Sequence, residues 1–177
     1  HSQAADIRAR LRNNIVLQHV TDAEWAKVEP LLTITEHPKG ATLESQGHPS
    51  MEQYFILEGI LKRVVSNAAG KEMILRFAAE SDIETSYAAW RLKTPIPFSI
   101  VAVRPVLLAT LSMGAWVEFM ERHPRLKSEF ELEVMKLMSE VMGHTITLHL
   151  LDAQGRVHRF IRKHGHLLDR IPKKELA

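Results

Sequence analysis

The spacing of apolar residues changes twice along the chain and divides it into three parts. In the first part, Ile7, Leu11 and Ile15 are four residues apart, which is typical of an amphipathic helix. Thr21 and Glu24 then have the spacing of a capping box, in which each side chain binds the backbone N–H of the other residue. We therefore expect two helices at the N-terminal end.

In the second part, short apolar runs alternate with turn signals at intervals of about ten residues. The turn signals are rich in glycine and proline: Pro38-Lys39-Gly40, Gly47-His48-Pro49, Gly59 and Ala69-Gly70. The apolar runs between and after them cover residues 42–43, 54–57, 60–65, 73–77, 98–103 and 106–111. This rhythm predicts a small antiparallel β-roll.

In the third part, the spacing becomes helical again, and one long helix is predicted from about residue 124 to 151. Seven of its residues fall alternately three and four positions apart, like the a and d positions of a coiled coil: Phe130, Val134, Leu137, Val141, His144, Leu148 and Leu151. A second stripe beside them contains Met135, Met138, Met142 and Thr145. One stripe can pack on the roll while the other meets a partner helix. We expect a parallel homodimer with the first stripe as its seam; the alternative is a helix buried within one subunit.

The chain beyond residue 151 differs in charge from the rest. Residues 152–177 contain seven lysines and arginines against three acidic residues. Pro172 suits the first turn of a helix, which would be cut off at Ala177 after about one turn. Because so short a helix cannot bury its own apolar face, we expect the protein to continue. The predicted domains are residues 1–151, an effector-sensing roll with its dimerisation helix, and residues 152–177, the incomplete start of a second domain.

Composition narrows the possible functions. The chain is 45% hydrophobic and 25% charged, as expected for one globular domain and a fragment of another, and its formal charge of +2 is too small to indicate nucleic-acid binding by itself. The absence of cysteine excludes disulfides and thiolate chemistry. No apolar run approaches the roughly 20 residues of a membrane helix. We expect a cytoplasmic protein with no membrane partner.

The sequence contains no recognisable arrangement of catalytic or metal-binding residues. A metal enzyme built on such a roll needs a His-x-His pair and a carboxylate inside it, whereas the roll has only His37 and His48, both in turn-like positions. The one His-x-His sequence, at His164 and His166, lies at a predicted helix end. We therefore predict no metal site, no catalytic residue and a protein that is not an enzyme.

The order of these elements, with several short motifs, resembles the cyclic-AMP receptor (catabolite activator)/Fnr family of bacterial transcription regulators. The motifs are the strand–turn–strand at 55–61, the hairpin tip Gly70-Lys71-Glu72, the hinge-like Asp152-x-x-Gly155-Arg156, and Ile171-Pro172-x-x-x-Leu176-Ala177. The resemblance implies an α+β fold, with an antiparallel β-roll flanked by N-terminal helices and a long C-terminal dimerisation helix. It also implies a winged helix-turn-helix, of which this chain holds only the beginning.

The same resemblance implies the partners: DNA, a second copy of the chain and, for such a regulator, RNA polymerase. The hinge would be formed by Asp152, Gly155 and Arg156. The basic side chains that could reach DNA phosphates are Arg170, Lys173 and Lys174, although basic residues near a domain start are as often simply solvated. The alternative is a stand-alone sensor module that regulates a protein partner.

The phosphate cassette of this family differs here. Family members that bind cyclic AMP place a Glu on the ribose hydroxyl and an Arg on the phosphate, whereas the alignment puts Pro97 at the Arg position and Phe98 at the following Ser. A phosphate buried without a cation loses several kcal/mol of solvation, and proline supplies neither charge nor N–H. The resemblance therefore predicts a degenerate cassette, no assured cofactor, and an unidentified small effector other than cyclic AMP.

The candidate residues of the effector pocket lie on the cassette, on the strand before it and on the long helix. Arg91 and Lys93 are the nearest cations, and Arg76 on the preceding strand is another. A gap in the alignment would bring Glu84 to the Glu position, and the pair that faces adenine in the family falls on Val141 and Met142. The full set is Arg76, Glu84, Ser86, Tyr87, Arg91, Pro97, Phe98, Ser99, Val141 and Met142.

His144 adds one possibility to the predicted seam. Two copies would face each other across a dimer, and their protonation would weaken it at acidic pH. A neutral histidine that forms a hydrogen bond within the seam is the alternative.

Overall fold

The computed structural model describes residues 2–164 of the chain, with side chains for residues 3–150. The predicted α+β fold is confirmed: an antiparallel β-roll is flanked by helices at the N-terminal end and by a long helix at the C-terminal end. The helices are α1 (Ser2–Arg12), α2 (Asp22–Val28), α3 (Tyr87–Leu92), α4 (Met113–Glu121) and α5 (Pro124–His164). None of the helices in this part of the chain is long and apolar enough to cross a membrane.

The roll consists of two antiparallel sheets of four strands. The strands are β1 (Thr33–His37), β2 (Thr42–Glu44), β3 (Glu52–Glu58), β4 (Leu61–Ser66), β5 (Glu72–Ala78), β6 (Ile83–Glu84), β7 (Ser99–Ala102) and β8 (Val106–Ser112). One sheet has the order β1-β8-β3-β6 and the other β2-β7-β4-β5. Each of the six predicted apolar runs overlaps one strand, whereas β1, β6 and α3 were not predicted.

Local sequence explains the connections between these elements. The predicted capping box opens α2, with the Thr21 hydroxyl accepting from the Glu24 N–H at 3.2 Å and the Glu24 carboxylate accepting from the Thr21 N–H at 2.9 Å. Between β3 and β4, Gly59 has φ +100°, and a Cβ there would lie 2.4 Å from the Pro105 carbonyl oxygen. Only glycine fits this turn without displacing the backbone of the β7–β8 connection.

Aromatic side chains join the roll to its helices. The Trp116 ring of α4 makes edge contacts with Phe55 of β3 and Phe130 of α5, with ring centroids 5.2 and 5.4 Å apart. Tyr87 of α3 also makes an edge contact with Phe130, with ring centroids 5.0 Å apart. Such edge-to-face pairs add to the hydrophobic stabilisation of a core. The first turns of α5 therefore belong to the core of the roll.

This arrangement corrects the predicted dimer seam. Phe130, Val134 and Leu137, the first three seam residues, are buried in the core of a single chain, so they cannot also face a partner. The other stripe is exposed instead: Leu132 and Met135 in the same part of α5 are 43% and 59% accessible. A helix with two apolar stripes buries one on its own roll, and the spacing alone does not identify which.

Beyond Leu137 the chain forms a second compact unit, which begins at Met138. Val141 and Leu148 are half-buried there and His144 is exposed, while the Leu151 side chain lies outside the described residues. Helix α5 does not end near residue 151 as predicted but continues through Gly155 to His164. Ala153, Gln154 and Arg156 favour a helix, and a single glycine costs only about 1 kcal/mol.

Candidate effector site in the roll

Two arginines and two carboxylates form a charged cluster in the roll. The Arg63 guanidinium of β4 donates twice to the Glu84 carboxylate of β6, at 2.6 and 3.1 Å. Arg76 of β5 donates to the same carboxylate at 2.9 Å and to Asp82 at 2.8 Å. Glu84 is 0% and Arg63 5% accessible, so these charges are largely removed from water.

The sheet register brings the two arginines together. Arg63 and Arg76 are direct partners on the antiparallel strands β4 and β5, so both side chains leave the same face of the sheet. Like charges directly opposite each other repel unless an anion lies between them. The Glu84 carboxylate is that anion, and Gln53 holds its backbone by donating to the Glu84 carbonyl oxygen at 3.1 Å.

The charges in this cluster balance. Burial of Arg76 opposes its charged form, but the carboxylates of Glu84 and Asp82 more than compensate and keep the pKa of Arg76 above its ordinary value. Arg63 and Arg76 are thus matched by Glu84 and Asp82. The cluster has no surplus cation with which to neutralise a phosphate.

A second acidic group lies at the start of α3. The Glu44 carboxyl accepts from the Ser86 hydroxyl at 2.8 Å and from the Glu52 N–H at 2.7 Å. Burial raises the pKa of Glu44 to about 7; these two hydrogen bonds lower it in part, and the nearby charges of Glu84 and Glu52 raise it further. Glu44 therefore changes its protonation state near neutral pH while linking β2 to α3.

Phe98 occupies space beside this cluster. Its ring lies 4.0 Å from the Arg63 guanidinium carbon, in the geometry of a cation–π contact, and is 8% accessible. Arg63 is thus covered by an aromatic ring as well as held by Glu84 and by the Thr85 carbonyl oxygen at 3.1 Å. Pro97, the preceding residue, is exposed.

The structure brings some of the predicted pocket residues together and separates others. Arg76, Glu84, Ser86 and Phe98 belong to this connected group of polar and aromatic side chains. Tyr87 packs on Phe130, Arg91 is exposed and donates to the Tyr87 hydroxyl at 3.0 Å, and Ser99 accepts from the Gln46 N–H at 2.9 Å. Val141 and Met142 belong to the second unit of the chain.

Sequence reasoning missed Arg63, Glu44 and Asp82. A signal for Arg63 was present, because Arg63 lies among Leu61, Val64 and Val65 in a predicted strand, where an arginine needs a partner. Glu44 and Asp82 stand beside turns and carry no such signal. No group of three or more His, Asp or Glu within the described part of the chain is arranged to hold a metal ion.

Comparison with known proteins agrees with this geometry. Residues 34–123 match the model of the cyclic nucleotide-binding domain, and the chain belongs to this family. No curated protein shows significant sequence similarity to the chain.

Solved structures with this fold include CAP-type regulators. The catabolite activator protein of Thermus thermophilus is 15% identical with a TM-score of 0.66, over 85% of this chain and 72% of that one. The sensor domain of the Pseudomonas aeruginosa transcriptional regulator DNR is 17% identical with a TM-score of 0.66, over 81% and 95%. A proposed cyclic nucleotide-binding protein of Ruegeria pomeroyi is 20% identical with a TM-score of 0.61; the match covers 86% of this chain but only 62% of that protein. At these identities the likeness concerns the fold alone.

Proposed function

We propose that this chain is the sensor part of a homodimeric, DNA-binding transcription regulator of the cyclic-AMP receptor/Fnr type, and that its effector is a small molecule other than cyclic AMP. The observation that carries the second half of this proposal is the position of Glu84. Its carboxylate already binds both arginines of the cluster, 2.6 Å from Arg63 and 2.9 Å from Arg76.

A phosphate would have to displace this carboxylate to reach the arginines. Breaking a buried ion pair by removing one partner costs about 3–5 kcal/mol, because it leaves an uncompensated charge in the interior. The phosphate would then form ion pairs with the two arginines, but the buried Glu84 carboxylate would lose its own. The position of Glu84 therefore disfavours cyclic-nucleotide binding. The Phe98 ring disfavours it further, because it covers one face of Arg63.

The cluster retains hydrogen-bonding capacity that an effector can use. The Nε atom of Arg76 and the Oε1 atom of Gln53 are buried, and neither has a hydrogen-bond partner among the described residues. Unpartnered buried polar atoms are uncommon in folded proteins. Because one is a donor and the other an acceptor, they favour a polar effector without net charge, which leaves the balance of the cluster unchanged.

Dimerisation is proposed through the exposed stripe of α5. Its apolar residues recur every three or four positions along the helix and are 43–65% accessible: Leu132, Met135, Met138, Met142, Ile146 and Leu150. A stripe of this length matches the seam of a two-helix coiled coil. Equilibrium sedimentation that shows only monomer at micromolar concentration would contradict the dimer.

DNA binding is proposed for the part of the protein after the roll, with residues 152–177 as the beginning of that domain. The candidate phosphate contacts Arg170, Lys173 and Lys174 lie outside the described residues. The hinge role of Asp152, Gly155 and Arg156 rests on the family motif, and contact with RNA polymerase rests on the class of regulator. Similar folds that are parts of transcription regulators support this proposal.

The test is a titration of the full-length protein with fluorescent genomic and random duplex DNA, with and without cyclic AMP, at two salt concentrations. We expect salt-sensitive binding with preferred sites and no response to cyclic AMP. Absence of DNA binding under every condition would favour a module that regulates a protein partner, and a response to cyclic AMP would contradict the account of the cluster.

A further inference from the structure

A cavity of about 450 Å³ lies on the outside of the roll, beside the C-terminal end of α3. Its walls are Pro49, Met51, Ala89, Trp90, Thr94 and Pro95, with Lys93 as the one charged residue of the lining. This volume falls in the range of small-molecule sites, which are mostly apolar with a few polar groups. None of these residues belongs to the cluster around Glu84.

The walls of this cavity are held by backbone hydrogen bonds. The segment before Pro49 and the segment after Pro95 exchange two bonds, from the Gly47 N–H to the Ile96 carbonyl at 2.7 Å and from the Ile96 N–H to the His48 carbonyl at 3.1 Å. Trp90, on α3, faces Gly114 at the start of α4, where an added Cβ would lie 3.4 Å from the indole ring. The cavity is therefore formed before any ligand arrives.

Lys93 is unusual for its position in the backbone. It ends α3 with φ +57°, a left-handed conformation that glycine or asparagine ordinarily supplies at the end of a helix. Its exposed side chain carries an ammonium group to the rim of this apolar cavity. Exposed Trp90, at 39% accessibility, supplies a flat apolar wall beside it.

The geometry points to a binding site for a small amphipathic carboxylate, with its apolar part against Trp90, Met51 and the two prolines and its carboxylate beside Lys93. The charge of Lys93 selects an anion, and the apolar lining selects a hydrocarbon or aromatic body. This site is separate from the effector site of the proposed function and does not depend on it.

Occupation of this cavity would act on a helix that also contacts the core. Helix α3 lines the cavity with Ala89 and Trp90, and its Tyr87 packs against Phe130 of α5 at 5.0 Å. The residue just before this helix, Ser86, donates its hydroxyl hydrogen to Glu44. Helix α3 therefore connects this cavity both to the charged cluster of the roll and to α5.

Tryptophan fluorescence provides the test, with decanoate as the probe below its micellar concentration and decanol and decylamine as neutral and cationic matches. Trp25 and Trp116 are 4% and 0% accessible, so a change at the red edge of the emission reports Trp90. We expect decanoate to shift this emission to shorter wavelength and to bind more tightly than decanol, with decylamine weakest. Absence of a shift, or equal affinity for all three probes, would overturn the proposal.

Variants locate the binding. Lys93→Gln should weaken decanoate roughly fivefold and leave decanol unchanged, because an exposed ion pair contributes about that much, while Lys93→Arg should bind decanoate nearly as the wild type does. Trp90→Ala, followed by calorimetry, should weaken decanoate and decanol together, roughly tenfold. Lys71→Gln, at the distant hairpin tip, is the matched control. Decanoate binding that Lys93→Gln and Trp90→Ala leave unchanged would overturn the proposal.

Discussion

Glu84 is the residue on which the account of the roll depends. Its carboxylate is shared by two arginines that lie opposite each other on neighbouring strands, so one side chain satisfies a pair of like charges. A phosphate in this position would make the same kind of contact. Under the proposed function, Glu84 therefore takes the place of a nucleotide phosphate on these arginines.

Replacement of this carboxylate tests the assignment directly. Glu84→Gln should lower the free energy of unfolding by about 3–5 kcal/mol, because the buried Arg63 then has no carboxylate partner and Arg76 retains only Asp82. Urea unfolding measures this loss, and inorganic phosphate at constant ionic strength should restore more stability to the variant than to the wild type. Glu36→Gln, an exposed substitution, is the control. A variant of unchanged stability that phosphate does not affect would contradict the shared role of Glu84.

Glu44 predicts a pH dependence of stability. Its pKa of about 7 in the folded state lies above the unfolded value near 4.5, so its contribution is complete below about pH 4.5 and is lost as the pH rises through 7. The loss is on the order of 3 kcal/mol at most. Denaturant unfolding of the wild type between pH 5 and pH 8 should show a decline that Glu44→Gln removes.

The informative quantity is the difference in unfolding free energy between wild type and Glu44→Gln at each pH, because this difference isolates the contribution of Glu44. Glu36→Gln should follow the wild-type curve. Parallel curves for wild type and Glu44→Gln would show that Glu44 does not titrate near neutral pH.

Single residues were the hardest level to predict. Glu84, Ser86 and Phe98 were named from the family's cassette and Arg76 from the strand before it, and all four lie together in the structure. The role of Arg63, however, depends on its register opposite Arg76. Register is a property of two strands, and the sequence of β4 does not contain it. The family motif also concerns only the residues that bind a nucleotide, so it does not predict that a carboxylate of the chain itself pairs with the arginines.

At the level of elements, periodicity and turn chemistry predicted most of the fold. The capping box at Thr21, the glycine turn at Gly59 and the alternating runs of the roll are local signals, and each corresponds to an observed element. The strand β1 was missed because its polar, largely exposed residues do not form an apolar run, and β6 because it has two residues. Length and burial, rather than propensity, explain both omissions.

Helix α5 shows where periodicity fails. Its two apolar stripes are equivalent as patterns, and the choice between core and surface is made by the aromatic contacts around Phe130. Leu137→Ala should lower the free energy of unfolding by about 2–5 kcal/mol, since the side chain is 5% accessible. Lys136→Ala, at the neighbouring exposed position, should change it by less than about 0.5 kcal/mol. Small and equal effects of the two substitutions in urea unfolding would show that Leu137 is not part of the core.

For the whole molecule, the fold class and the family are established, and the combination of roll and long helix was predictable because each part has its own periodicity. The charged cluster that we propose as the effector site was not predictable, since it depends on how side chains from β2, β4, β5 and β6 meet inside the roll. These strands come from residues 42–84, and their contacts exist only after the two sheets have closed.

The measurement that tests the central claim most directly is isothermal calorimetry of the full-length protein with cyclic AMP. Because Glu84 and Asp82 together neutralise Arg63 and Arg76, and Phe98 covers Arg63, we expect no binding at micromolar concentrations of nucleotide. Micromolar binding that is lost in both Arg63→Ala and Arg76→Ala would contradict the account, since it would show that the two arginines receive a phosphate despite the internal carboxylate.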